Sequence, residues 1–256
     1  MTEKTVLMSR QGDICTITIN RPSVRNAWTR EFAGELAEAF RLAGKEKSNR
    51  VIVLEGAGRD FSSGADIALF KAEYPPPVWL DGMRDLKELI LVMRRIPQPV
   101  IAKVRGVAIG GGINLALAAD FVVAAETARF CENFSNIGIV VDAGGNYFLP
   151  RLVGLVKARE LAMLGDVIDG KTAAAMGLIH KAVPDGELDA AVAALAARLA
   201  GKSPEAMALI KEALDTSFEM SLPLTLEWEA AHQAVMTQTE TLKTAARLFL
   251  QSRGKG

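Results

Sequence analysis

The chain has 256 residues, half of them apolar, with 30 Lys+Arg balanced by 30 Asp+Glu. That length suits one unit with a sizeable core plus an extension, and a formal charge of zero argues against a nucleic-acid surface, which carries a basic excess or stripe. Two cysteines, Cys15 and Cys131, lie in no C-x-x-C pair, and the two histidines, His180 and His232, are far apart in sequence, which argues against a disulfide framework or a metal site.

The N-terminal residues show no basic segment leading into an apolar run, and no apolar stretch is long enough for a bilayer. The expectation is a cytoplasmic protein that uses neither membrane nor nucleic acid.

In chain order, Ile14 to Ile19 is β-branched and ends at Asn20-Arg21-Pro22, a strand followed by a turn. Residues 29–43 place Phe32, Leu36, Ala39, Phe40 and Ala43 at helical spacing. Val51 to Leu54 is an apolar run closed by Glu55-Gly56, as expected of a buried parallel strand. Pro75-Pro76-Pro77 predicts a loop, and residues 83–96 a helix stopped by Pro97 and Pro99. Val100 to Val104 predicts a strand, about 113–119 a short helix, and Phe121 to Ala125 another strand. This alternation predicts an α/β architecture with mostly parallel strands. From about residue 185 the pattern is only helical, with Ser203-Pro204 a good helix start. The division is a β-containing core over 1–200 and a helical C-terminal part over 201–256.

Three segments stand out chemically. In Phe61-Ser62-Ser63-Gly64-Ala65-Asp66, small residues let backbone approach a ligand; on this segment alone a plain turn into a helix is the better reading. In Gly106-Val107-Ala108-Ile109-Gly110-Gly111-Gly112, three glycines follow a strand and open a helix, whose free N–H groups suit an oxyanion. The competing reading is close helix–strand packing, and neither a Walker loop nor G-x-G-x-x-G is present. In Ile139-Val140-Val141-Asp142-Ala143-Gly144-Gly145, an acid sits between an apolar run and a small-residue turn; a helix N-cap is its ordinary use. Together, two turns able to aim amides at one oxygen and one embedded carboxylate are suited to a thioester enolate.

These segments resemble the crotonase (enoyl-CoA hydratase/isomerase) family. FSSGAD (61–66) and GVAIGGGINLALAAD (106–120) are similar to its two oxyanion-hole segments. NRPSVRNAW (20–28) resembles its CoA-binding turn, FSNIGIVVDAGGNYFLPRLVG (134–154) the segment with its catalytic acid, and AAAMGLIHKAVP (173–184) its helix-to-strand junction. The resemblance spans about residues 5–250. It implies a ββα superhelix with a helical C-terminal trimerisation part, and a homotrimer or homohexamer. It implies an acyl-CoA thioester substrate, with coenzyme A entering as part of that substrate and no separate cofactor. The amides of Ala65 and Gly111 would form the oxyanion hole. Val24, Arg25, Asp66 and Ile67 would border the CoA, with Arg25 meeting a phosphate. Gly110, Asn114 and Phe134 would be further substrate-binding residues. Trp79, Leu80 and Met83 are candidates to line the acyl pocket, although an aromatic and a methionine at such spacing are more often plain core. In relatives a C-terminal Phe and Lys reach a neighbour's CoA; this chain ends at Lys255-Gly256.

The hydratases of this family use two glutamates, at the positions of Asn114 and Phe134 here, and neither of these side chains exchanges a proton. Asp142 resembles the acid of other branches, in particular the ring 1,2-epoxyphenylacetyl-CoA isomerases. The dehalogenase branch needs a histidine base, and residues 1–179 contain none. The resemblance therefore implies an acyl-CoA isomerase in which Asp142 shuttles one proton, its carboxyl raised by Val140, Val141 and Phe134. Alternatives are a hydratase, hydrolase or lyase of the same family, and a non-catalytic acyl-CoA-binding protein of the same fold.

Overall fold

The computed structural model describes residues 4–71 and 73–253. The expectation attached to Lys255-Gly256 lies outside them. Strand β1 (Val6–Gln11) turns back antiparallel onto β2 (Ile14–Ile19), where Ile17 and Ile19 alternate inward between threonines. From there the sheet is parallel: β3 (Val51–Gly56), β4 (Val100–Val104), then β6 (Phe121–Ala125) and β9 (Lys181–Val183), in the order β1-β2-β3-β4-β6-β9. A second sheet joins β5 (Val107–Ile109), β7 (Arg129–Cys131) and β8 (Ile168–Asp169).

Helix α1 (Phe32–Lys45) buries Phe32, Leu36, Ala39, Phe40 and Ala43, the stripe its spacing predicts. It packs against α2 (Pro76–Arg95), which buries Leu86, Leu89, Ile90 and Met93. The proline run belongs to this helix rather than to a loop: Pro76 and Pro77 are its first two residues. Amides of a first helical turn have no intrahelical acceptor, so proline costs nothing there. Helix α3 (Gly111–Leu117) is wholly buried, and α4 (Gly145–Leu164), α5 (Gly170–Ala175) and α6 (Leu188–Ala200) follow.

Helix α6 lies on the main sheet through Leu188, Val192 and Ala196. Helix α7 (Pro204–Thr216) starts where expected, with Ser203 Oγ accepting from the amide of Ala206 at 3.3 Å. Its Lys211 reaches back to the carbonyls of Met93 and Gln98 and to Asp120. The last helical stretch is two helices, α8 (Leu222–Met236) and α9 (Glu240–Arg253). Among the described residues no helix is long and apolar enough to cross a membrane.

Candidate active site

The two glycine-bearing segments meet edge to edge. Ser62 bridges to Ala108 in parallel fashion: its amide donates to the Val107 carbonyl at 3.0 Å, and its own carbonyl accepts from the amide of Ile109 at 3.0 Å. Gly64 has a φ of +79°, and a Cβ there would stand 2.6 Å from the Ile109 carbonyl and 3.3 Å from the Gly111 amide nitrogen. Only glycine permits both that backbone conformation and that approach. Residue 65 is thereby pressed beside the start of α3.

The position of Ala65 is held from the other side by Trp28, whose amide donates to the Gly64 carbonyl at 2.8 Å and whose carbonyl accepts from the Asp66 amide at 2.9 Å. Neither the Ala65 amide nor that of Gly111 donates to a loop or cap acceptor among the described residues. Gly111 is the first residue of α3, so its N–H has no acceptor inside the helix either.

Both residues line a cavity of about 550 Å³. Its walls are mostly apolar: Trp28, Phe32, Phe134 and Val140, with Phe70 and Tyr74 from the chain before α2 and Trp79 and Met83 from α2 itself. Phe70 stacks on Trp79 at 5.5 Å, and Tyr74 meets the same ring edge-on at 6.0 Å.

Asp142 opens onto the same cavity. It is not a helix cap: α4 begins at Gly145 after Gly144, and no side chain caps it. Asp142 precedes Ala143, a non-glycine residue in the left-handed region at φ 50°, a costly conformation that clusters at functional sites. Burial pushes its carboxyl up to about 6, and its Oδ1 is buried without a partner. Of the expected residues, Ala65, Gly110, Gly111, Phe134 and Asp142 thus line one space, joined by Trp79 and Met83 but not by Leu80.

The others are elsewhere. Val24, Arg25, Asp66 and Ile67 lie outside the cavity, on the turns that flank Ala65. The side chain of Arg25 is more than half exposed, 4.0 Å from Asp60. Asp66 is engaged by Arg21 at 3.4 Å and accepts from the Ala68 amide. Asn114, expected among the substrate-binding residues, is fully buried and is not among the residues that line the cavity. It belongs to the first turns of a helix sunk in the core, so its amide turns to protein partners. Its Nδ2 donates to the Asp142 carbonyl at 3.0 Å and to Glu132 Oε2 at 3.2 Å.

Glu132 is a residue that sequence reasoning misses. It follows β7 directly and is 1% exposed. Burial pushes its carboxyl up to about 8, opposed by the Asn114 hydrogen bond and reinforced by the nearby Asp142 charge. Among the described residues no cluster of three His, Cys, Asp or Glu side chains could hold a metal ion.

The model of the enoyl-CoA hydratase/isomerase family matches residues 9–255. The chain belongs to that family. It is 37% identical over 255 residues to a protein of Rhodobacter capsulatus named "Probable enoyl-CoA hydratase", covering 99% of this chain and 97% of the relative. It is 32% identical over 251 residues to the 1,2-epoxyphenylacetyl-CoA isomerase of Escherichia coli, covering 97% and 96%. The crystal structure of an enoyl-CoA hydratase from Polaromonas sp. JS666 superposes with a TM-score of 0.92 at 30% identity, over 96% of this chain and 97% of that one. The crotonase α/β architecture read from the motifs is therefore that of this enoyl-CoA hydratase/isomerase family member.

Proposed function

We propose that this family member is an acyl-CoA isomerase that moves a double bond with Asp142 as its single proton carrier. The carrying observation is that one carboxyl, Asp142, opens onto an apolar cavity that also presents the unengaged amides of Ala65 and Gly111. The thioester carbonyl accepts from both amides. As Asp142 takes a proton from the carbon next to the thioester, electron density moves onto that oxygen, and fixed donors stabilise the dienolate more than the ground state. The same proton returns two carbons further along. The C–H bond broken and the C–H bond formed balance, the double bond moves into conjugation, and no water is consumed.

A carboxyl near 6 is matched to this work, a base in the resting enzyme and an acid once protonated. The apolar walls fit the hydrocarbon of the acyl group, and an aromatic ring-epoxide acyl group is the variant suggested by the isomerase relative. CoA would run over the turns bearing Val24, Arg25, Asp66 and Ile67. Large apolar side chains left exposed on α4 and from α7 onward, Val156, Met163, Leu214, Phe218 and Leu222 among them, support assembly into trimers or pairs of trimers.

Hydration is the second reading, favoured by the hydratase names of several relatives. Against it, the two positions where the motifs expect glutamates hold Asn114 and Phe134. The test is parallel turnover of 3-enoyl-CoA and 2-enoyl-CoA by wild type and Asp142→Asn, with products weighed by mass spectrometry. Conversion of the 3-enoyl substrate without gain of water, lost in the variant, is the expected result. Hydration of the 2-enoyl substrate by wild type overturns the isomerase reading in favour of the second.

A further inference from the structure

Glu132 is a buried carboxyl that the proton shuttle leaves unused. It shares Asn114 with the catalytic loop: the one Nδ2 donates to Glu132 Oε2 and to the main-chain carbonyl of Asp142. Three polar atoms of this group, Glu132 Oε1, Asn114 Oδ1 and Asp142 Oδ1, are buried without partners. All three are acceptors when both acids are ionised, so the cluster is then short of donors. An ionised Glu132 would be a buried anion with one hydrogen bond, a costly arrangement. A protonated Glu132 brings an O–H into a group otherwise short of donors.

We infer that Glu132 is a positioning residue that works as a neutral acid, fixing the main chain at Asp142 through Asn114 and leaving Asp142 the only anion facing the substrate. The inference rests on Asp142 being the proton carrier. The titratable group that acts on Glu132 is Asp142, from the loop before α4, and Glu132 in turn acts on Cys131, its neighbour at the end of β7. The Cys131 thiol is itself pushed up, by burial first and then by the charges of Glu132 and Asp166, with Arg129 opposing. Helix α3 contributes the uncharged Asn114. No Lys or Arg among the described residues offsets either carboxylate.

The pair therefore titrates in order, Asp142 near 6 and Glu132 near 8, and these steps belong to the two groups together. Between them the site carries one negative charge. Above the second step another anion appears behind Asp142, where it opposes the charge building on the dienolate.

The experiment is kcat/KM from pH 5 to 10 on a 3-enoyl-CoA for wild type and Glu132→Gln, with carbon-13 NMR of the labelled carboxyls in ligand-free wild type. Glutamine keeps the acceptor that Asn114 uses and cannot ionise. The expected wild-type profile is a bell, falling about tenfold per pH unit above its upper limb. Glu132→Gln keeps the lower limb, keeps the neutral-pH rate within about threefold, and stays flat above pH 8. A carboxyl signal titrating near 8 is expected in the ligand-free protein. An upper limb that survives in Glu132→Gln, identical profiles without one, or the absence of such a signal overturns the inference. The NMR titration uses no substrate, so it stands apart from a failure of the isomerase reading.

Discussion

One added methyl group at Gly111 should disturb both proposed oxyanion donors, the amides of Ala65 and Gly111, together. A Cβ at that position would lie 2.5 Å from Cζ3 and 2.7 Å from Cη2 of Trp28, about 1 Å inside ordinary contact between carbons. The indole cannot swing into solvent, because it is 6% exposed and stacked on Phe32 at 5.2 Å. Either α3 backs away or Trp28 moves, and the main chain of Trp28 brackets Ala65 through its bonds to Gly64 and Asp66. Overpacking of this kind costs roughly 1–3 kcal/mol of stability, a fall of about 2–10 °C in Tm for a chain of this size. Misplacing one oxyanion donor costs about 10²–10³ in rate. Gly111→Ala should therefore lower kcat/KM by at least about 10²-fold at a temperature where it is fully folded. Calorimetry and near-ultraviolet circular dichroism check the fold, and 3-enoyl-CoA turnover checks the rate. A folded variant with kcat/KM within about threefold of wild type would refute the argument that these two amides act as one device.

Three further outcomes follow from the same structure. The base form of Asp142 is the ionised one and its carboxyl is pushed up to about 6, so the lower limb of the bell in kcat/KM should rise about tenfold per pH unit below 6 and reach its plateau between the two limbs; a lower limb near 4 contradicts the role of burial. Gly34 lies exposed within α1, and a methyl group added there would meet only open space, so Gly34→Ala should add roughly 0.5–1 kcal/mol by denaturant titration without altering turnover. Asp120 ties Lys211 of α7 (2.9 Å) and Arg94 of α2 (3.2 Å) to the core. Asp120→Ala strands the buried Lys211 ammonium, so it should cost about 3–5 kcal/mol and lower Tm on the order of 10 °C; a loss below about 1 kcal/mol would mean that Lys211 finds other partners or gives up its proton.

The parts of the fold that can be read from sequence are those whose residues suffice locally. Ile14 to Ile19 alternates as a half-buried strand must, and the observed β2 has those bounds. The buried stripe of α1 is likewise written in its spacing. Strands β5, β7 and β8 escape such a reading, because each has only two or three residues and exists through pairing with distant chain. Val107 to Ile109 is the instructive case. Flanked by Gly106 and Gly110, it reads as part of a loop, yet β5 pairs with β7 and gives Ser62 its bridge partner at Ala108. That pairing is what brings Ala65 beside Gly111. The apposition of the two donors is thus a tertiary fact that local pattern does not contain.

The two carboxyls show the same limit in chemical form. Asp142 can be picked out because Ile139-Val140-Val141 precede it, and a charge in an apolar run demands a reason. Glu132 stands between Cys131 and Asn133, where a lone glutamate reads as solvated. The signal for it is the period of two: continuing β7 by one residue puts Glu132 on the face of Phe130, which is fully buried. Asn114 completes the argument. Compared with the hydratase motif it reads as a lost acid, a deletion of function. In the folded chain its amide is the bond between Glu132 and the Asp142 loop, and a carboxyl in its place would remove that donor and set a third acid beside the two already there. On the proposed mechanism the asparagine is what leaves Asp142 a single ionised base, so the departure from the hydratase pattern and the placement of Asp142 are one change in chemistry rather than two.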